Sequence, residues 1–164
     1  MVREKNTSIL FVCMGNICRS PMVETVARVE LARAGIVADV ASAGTENYHV
    51  GEGADPRAIE MAEAHGYPLA QHRARQVSAA DFDDFDLVLA MDRVNLRALQ
   101  RHRARPDVRD AELFLRHVGF DGFDEVPDPY YGGRRDFERV LDLARRGSAL
   151  LIERLDASRV KARA

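Results

Sequence analysis

Lysine is nearly missing from this chain of 164 residues: only Lys5 and Lys161 occur, so almost all of the 24 basic side chains are arginines. They are scattered among 26 acidic residues, and the resulting net charge of -2 argues against generic polyanion binding. Long apolar runs are missing too. Nothing approaches the roughly 18 residues of a membrane span, and Ile9 to Met14 is too short for the apolar region of a signal peptide. The chain is therefore expected to be cytoplasmic, with no membrane insertion. Cysteine is scarce. Cys13 and Cys18 are too few for a secreted disulfide framework, and no histidine pairs with their spacing as a zinc site would require, so no metal is expected. Chemistry is the better reason for them. The residues that are present, 46% hydrophobic and 30% charged, are those of an ordinary folded protein. Their number suits one domain burying roughly 70% of its unfolded surface.

Short apolar runs alternate with helical stretches, which predicts an α/β domain on a parallel sheet. Ser8 to Cys13 reads as a strand buried on both faces. Pro21 is expected to open a helix at its first position and Gly35 to close it. Val37 to Ala43 reads as a second strand. Asp55 and Pro56 start a helix that Gly66 ends. Asp86 to Met91 is a third strand, followed by a helix that Asp92 can cap. Ala111 to Leu115 is a weaker fourth strand, and Asp136 to Leu155 a last helix in which Gly147 is a weak point. A single domain over 1–164 is expected, with an ordered core of about residues 7–156 and polar, frayed ends. Arg93, Arg97, Arg101 and Arg105 recur at i, i+4 spacing. With balanced total charge they read as a solvated face rather than a nucleic-acid stripe.

Cys13-Met14-Gly15-Asn16-Ile17-Cys18-Arg19-Ser20-Pro21 falls where a strand ends and a helix begins. Ligands of open parallel sheets bind beyond such strand ends, and a helix N-terminus presents unpaired N–H groups to an anion. A tight loop, eased by Gly15 and by Asn16's tolerance of left-handed dihedrals, can turn its amides inward around a tetrahedral phosphate. Arg19 adds a planar fork for two phosphoryl oxygens. Inward amides, the helix terminus and the guanidinium all favour a thiolate at Cys13, the expected nucleophile. Ser20 can donate a hydroxyl hydrogen bond to that sulfur. Without the arginine and glycine, Cys13 would read as a small buried hydrophobe.

Displacing an alkoxide or phenolate from phosphorus also needs an acid. Asp128, in Val126-Pro127-Asp128-Pro129-Tyr130-Tyr131-Gly132, is the candidate: a carboxyl on a proline-stiffened loop beside two aromatics. Taken alone the segment is a turn signal. The loop at Cys13 gives it a partner.

These motifs, with Ser42-Ala43-Gly44-Thr45, His49-Val50-Gly51, His72-Arg73-Ala74-Arg75-Gln76-Val77 and Met91-Asp92 in the same order, resemble the low-molecular-weight protein tyrosine phosphatase family over nearly the whole chain. The resemblance implies a Rossmann-like, phosphotyrosine protein phosphatase I-like fold, a single domain whose four-stranded parallel sheet is flanked by helices on both faces. It implies hydrolysis of phosphotyrosine and aryl phosphates through a phosphocysteine, without organic cofactor or metal. Cys13 would be the nucleophile, Arg19 the phosphate ligand and Asp128 the general acid and base. Met14, Gly15, Asn16, Ile17, Cys18 and Ser20 would form the phosphate-binding loop, supported by Ser42 and His72. Cys18 resembles the family's second loop cysteine, near enough in sequence to trap Cys13 as a reversible disulfide.

A phosphotyrosine projects its phosphate far from the backbone, so a deep slot with aromatic lips selects it. Tyr48, Tyr130 and Tyr131 are the expected walls, Tyr48 standing where many relatives carry tryptophan. The expected partner is a phosphotyrosine-containing protein, a tyrosine kinase among the candidates, and the chain is expected to be a monomer with no nucleic-acid partner. Two alternatives stay open: arsenate reduction, which no cysteine after Cys18 supports, and phosphotyrosine binding without turnover.

Overall fold

The computed structural model describes residues 6–106 and 109–163, with the side chains of 162 and 163 excepted; the expected frayed N-terminus lies outside them. Four strands, β1 (Thr7–Cys13), β2 (Ala38–Gly44), β3 (Leu87–Ala90) and β4 (Glu112–Leu113), form one parallel sheet in the order β2-β1-β3-β4. β1 is central and wholly apolar after Ser8. Its alternate residues enter different cores: Ile9, Phe11 and Cys13 on one face, Leu10 and Val12 on the other. Helices α1 (Arg19–Arg33), α2 (Pro56–Ala64), α5 (Phe114–His117) and α6 (Arg134–Arg163) supply the first core. Phe82 from α3 (Asp81–Asp84) and Leu99 from α4 (Arg93–Leu99) lie in the second. The sheet is thus covered on both faces, as expected. From β1 the chain first moves to β2 on one side and later returns to β3 on the other. The carboxyl end of β1 is therefore the topological switch point, where α/β sheets leave a crevice.

Several elements end where local chemistry says they should. α1 closes in a Schellman motif, with Gly35 at φ 74° and the Ile36 and Gly35 amides donating to Leu31 and Ala32. Asp55 caps α2 through the Arg57 amide, and Pro56 takes the first helical position. Asp92 caps α4 through the Asn95 amide.

Three expectations need correction. α1 begins at Arg19, not Pro21. Pro21 still loses no bond, because the first intrahelical donor is Met22, whose amide reaches the Cys18 carbonyl. β4 is only Glu112–Leu113, and Phe114 to His117 turns into a helix; so short an edge strand leaves no periodicity to read. The last helix continues past Leu155 to Arg163. Its polar tail contains no proline or glycine, so its composition signals exposure rather than loss of helix.

Gly147 lies inside α6 where the Phe114 ring packs against the helix. A Cβ at this position would sit 2.6 Å from the Phe114 ring. By helix propensity alone Gly147→Ala would stabilise by about 1 kcal/mol; overpacking of this kind costs about 1–3 kcal/mol. Gly147→Ala is therefore expected to lower the denaturant midpoint at unchanged m, and a raised midpoint would refute the packing account.

Candidate active site

The loop after β1 carries Cys13 to its base. Cys13 is 3% exposed, and its Sγ lies 3.0 Å from Ser20 Oγ. Asn16 Nδ2 donates to that same Oγ at 2.8 Å. The serine oxygen is thus engaged as an acceptor, which leaves its own hydrogen available to the sulfur. Asn16 organises the rest. It is fully buried in the left-handed region at φ 58°, and its second Nδ2 hydrogen reaches Ser42 Oγ at 2.9 Å. Its Oδ1 accepts the Arg75 amide at 3.1 Å, and its main-chain carbonyl accepts from His72 Nε2 at 2.7 Å. The last contact puts the histidine proton on Nε2. Gly15 has a different reason from the dihedral freedom expected of it: a Cβ there would meet the His49 ring at 3.0 Å.

α1 starts on this loop with no side-chain cap and no acidic residue in its first turn. Its partial positive charge is not offset within its own first turn. Arg19, its first residue, is 3% exposed. Nη1 donates to Asp92 Oδ2 at 2.5 Å and to the Val126 carbonyl at 3.1 Å, while Nη2 lies 3.6 Å from Asp128 Oδ2. Burial opposes its charge, but Cys13, Asp92 and Asp128 outweigh that and hold the guanidinium protonated. Cys18 behaves in the opposite sense. Burial, with Asp55, Cys13 and Asp128 nearby, pushes its thiol up and keeps it protonated. Both cysteines are free.

Asp128 faces this pocket from the loop before α6, 47% exposed, with Oδ1 accepting the Tyr130 amide at 3.1 Å. The cavity between, about 370 Å³, is lined by Cys13, Met14, Ile17, Arg19, Asp128 and the three tyrosines 48, 130 and 131, among others. Tyr131 is 95% exposed and meets Tyr130 edge-on at 5.0 Å. The expected acid, the three wall residues and the loop residues Cys13 to Arg19 other than Asn16 thus line one crevice, while Asn16 and Ser20 are buried beneath it, with Ser42 and His72 bonded to Asn16. Among the described residues no group of three His, Cys, Asp or Glu side chains is arranged to hold a metal.

Three contributors escaped the sequence. Asp92 falls in a motif of the resemblance but takes no role from the sequence beyond a helix cap, yet its Oδ1 caps α4 while Oδ2 orients Arg19. Its place after a strand adjoining β1 was the available signal. His49 lines the cavity against Gly15. Arg57 reaches the carbonyls of Tyr130 and Gly132 from α2. The expected arginine face resolves into pairs: Arg93 with Asp124, Arg101 with Glu46 and Arg105 with Asp83, and α4 itself ends at Leu99.

Asp92→Asn separates the two duties, since asparagine caps as well as aspartate but carries no charge. It is expected to keep α4 while losing about tenfold in turnover through a loosened Arg19. Asp92→Ala should additionally lose about 1 kcal/mol for the cap. Equal turnover in wild type and Asp92→Asn would reject the orienting role.

A family model described as low molecular weight phosphotyrosine protein phosphatase matches residues 8–161. A low molecular weight protein-tyrosine-phosphatase of Streptomyces coelicolor is 46% identical over 151 residues, covering 88% of this chain and 90% of that one. The crystal structure of a protein tyrosine phosphatase from Entamoeba histolytica, with Hepes in its active site, superposes with a TM-score of 0.86 at 33% identity, covering 94% and 99% of the two chains. Vibrio vulnificus Wzb in complex with benzylphosphonate superposes at 0.79 with 30% identity, covering 92% and 99%.

Proposed function

Because the chain belongs to the low molecular weight phosphotyrosine protein phosphatase family, we propose that it hydrolyses phosphotyrosine in proteins through a phosphocysteine intermediate. The observation that carries this reading is the sulfur of Cys13 at the base of a loop closed by Arg19, with Ser20 Oγ 3.0 Å from it and Asp128 across a cavity of about 370 Å³. A similar structure with Hepes in its active site and another in complex with benzylphosphonate support an anion entering there.

In the first step the Cys13 thiolate attacks phosphorus in line with the tyrosyl oxygen. The S–P bond forms as the P–O bond breaks, and the Asp128 carboxylic acid gives its proton to the departing oxygen. The transition state spreads charge over three equatorial oxygens, where loop amides and the Arg19 fork are aimed. In the second step the Asp128 carboxylate takes a proton from water, whose oxygen attacks phosphorus. The S–P bond breaks, inorganic phosphate leaves, and the Ser20 hydroxyl steadies the thiolate that reappears. Cys13, Arg19 and Asp128 carry the bond changes; Asn16, Ser42 and His72 keep the loop open.

The substrate is a phosphoprotein, and the aromatic lips Tyr48, Tyr130 and Tyr131 favour an aryl phosphate over a short alkyl one. We take a tyrosine kinase as a candidate partner, a monomer as the acting form and the cytoplasm as the site of action. No helix among the described residues is long and apolar enough to cross a membrane. The test is phosphate release from a phosphotyrosyl peptide and its phosphoseryl counterpart, in excess chelator. A preference of about a hundredfold or more for the tyrosyl ester is expected from reach and stacking. Equal rates, or activity abolished by chelator, would overturn the reading.

A further inference from the structure

Asp128 is half exposed, and what aims its carboxyl is not obvious from the residue itself. Its Oδ2 lies 3.6 Å from Arg19, beyond a hydrogen bond, so its geometry depends on Oδ1 accepting the Tyr130 amide. Tyr130 belongs to a turn closed by the Gly132 amide donating to the Pro129 carbonyl at 2.9 Å. Whatever holds that turn therefore holds the acid.

Arg57 holds it. Its Nη2 donates to the Tyr130 carbonyl at 3.0 Å and its Nη1 to the Gly132 carbonyl at 3.4 Å. Its other edge pairs with Asp55 through two parallel bonds, Nε to Oδ1 at 3.1 Å and Nη2 to Oδ2 at 2.9 Å. This fixes the guanidinium plane before the turn is engaged. The flat face lies 4.6 Å from the ring of Phe137, buried on α6, and 5.7 Å from that of Tyr130. Asp55 is itself tied to the phosphate loop, because its amide donates to the Ile17 carbonyl at 2.8 Å. One guanidinium thus joins the loop that carries the phosphate to the turn that carries the proton.

We propose that Arg57 is a positioning residue for proton transfer: anchored on Asp55, it clamps the carbonyls of Tyr130 and Gly132 and so keeps the Asp128 carboxyl over the departing oxygen, an inference that rests on the reading of Asp128 as the acid. A purely structural arginine would affect all substrates alike. A positioning arginine affects a substrate in proportion to its need for a proton.

The test measures kcat/KM across aryl phosphates from acidic phenols to phenol itself, for wild type, Arg57→Ala, Arg57→Lys, Asp128→Ala and the Arg57→Ala/Asp128→Ala pair, with melting temperatures for each. Arg57→Ala is expected to lose about tenfold to a hundredfold on the poorest leaving group, and about threefold or less on the best, as misplacement by a fraction of an ångström would cause. Arg57→Lys, which keeps the charge but reaches one carbonyl, should fall between. In the Asp128→Ala background the added dependence on leaving group should vanish. A uniform loss across the series in Arg57→Ala, while Asp128→Ala steepens the dependence, would overturn the role of Arg57 alone. A flat response in Asp128→Ala would instead remove the acid assignment beneath it. Should Arg57→Ala fail to fold, Arg57→Lys decides: a leaving-group-dependent loss supports the clamp, and a uniform one rejects it.

Discussion

Cys13→Ser is expected to lower aryl phosphate hydrolysis by at least about a thousandfold, because a serine hydroxyl in the same ring is a weak nucleophile with no base placed to activate it. The exchange is nearly isosteric at a position only 3% exposed, and the partner Ser20 Oγ remains to accept or donate. The fold and the phosphate-binding ring should therefore survive. Calorimetry with inorganic phosphate should give an affinity close to that of the wild type, and the melting temperature should move by a few degrees at most. The two readouts together separate lost chemistry from lost structure. Retention of more than about a tenth of wild-type turnover would remove Cys13 from the mechanism.

Asp128→Ala should divide substrates by how badly they need a proton. For a phenol that leaves poorly, loss of the acid is expected to cost about a hundredfold to ten thousandfold in kcat/KM. For an acidic nitrophenol, which departs as a stable anion, the loss should be tenfold or less, roughly, since little proton transfer accompanies bond breaking. The side chain is 47% exposed and accepts one main-chain hydrogen bond, so its removal should leave stability within about 0.5 kcal/mol. Equal losses over the whole leaving-group series would mean that Asp128 steers or shapes the site rather than supplying the proton.

The stability of the site has its own pH dependence. Asp55 is held below the ordinary carboxylate range, first by its hydrogen bond from Arg57, against the opposing effect of burial. A folded value below the unfolded one means that its contribution is present above the unfolded value of about 3.9 and fades as pH falls through the folded value. The Asp55–Arg57 clamp should therefore hold unchanged through neutral pH and loosen only in acid, below about pH 4.

The phosphate-binding loop was legible in the sequence because it is contiguous: Cys13 to Pro21 holds sulfur, turn, guanidinium and helix start within nine positions, and local sterics suffice to curl them. The helix ends at Gly35, Gly66 and Asp55 were legible for the same reason, each obeying a rule of its nearest neighbours. The acid was legible only beside the loop motif, since an Asp-Pro turn has many uses. β4 was poorly legible because two paired residues carry no periodicity, and Gly147 could be seen as an anomaly but not explained.

Contiguous chemistry therefore came from the chain order, namely a nucleophilic sulfur in an anion-binding turn at a strand end. The strand order β2-β1-β3-β4 decided the remainder. Placing β3 beside β1 brings Asp92 to Arg19, and packing α2 below the turn before α6 brings Arg57 to the Tyr130 and Gly132 carbonyls. Those contacts join residues 73 positions apart or more. No local propensity encodes such a meeting; it exists only once the sheet has folded and the helices have covered both its faces.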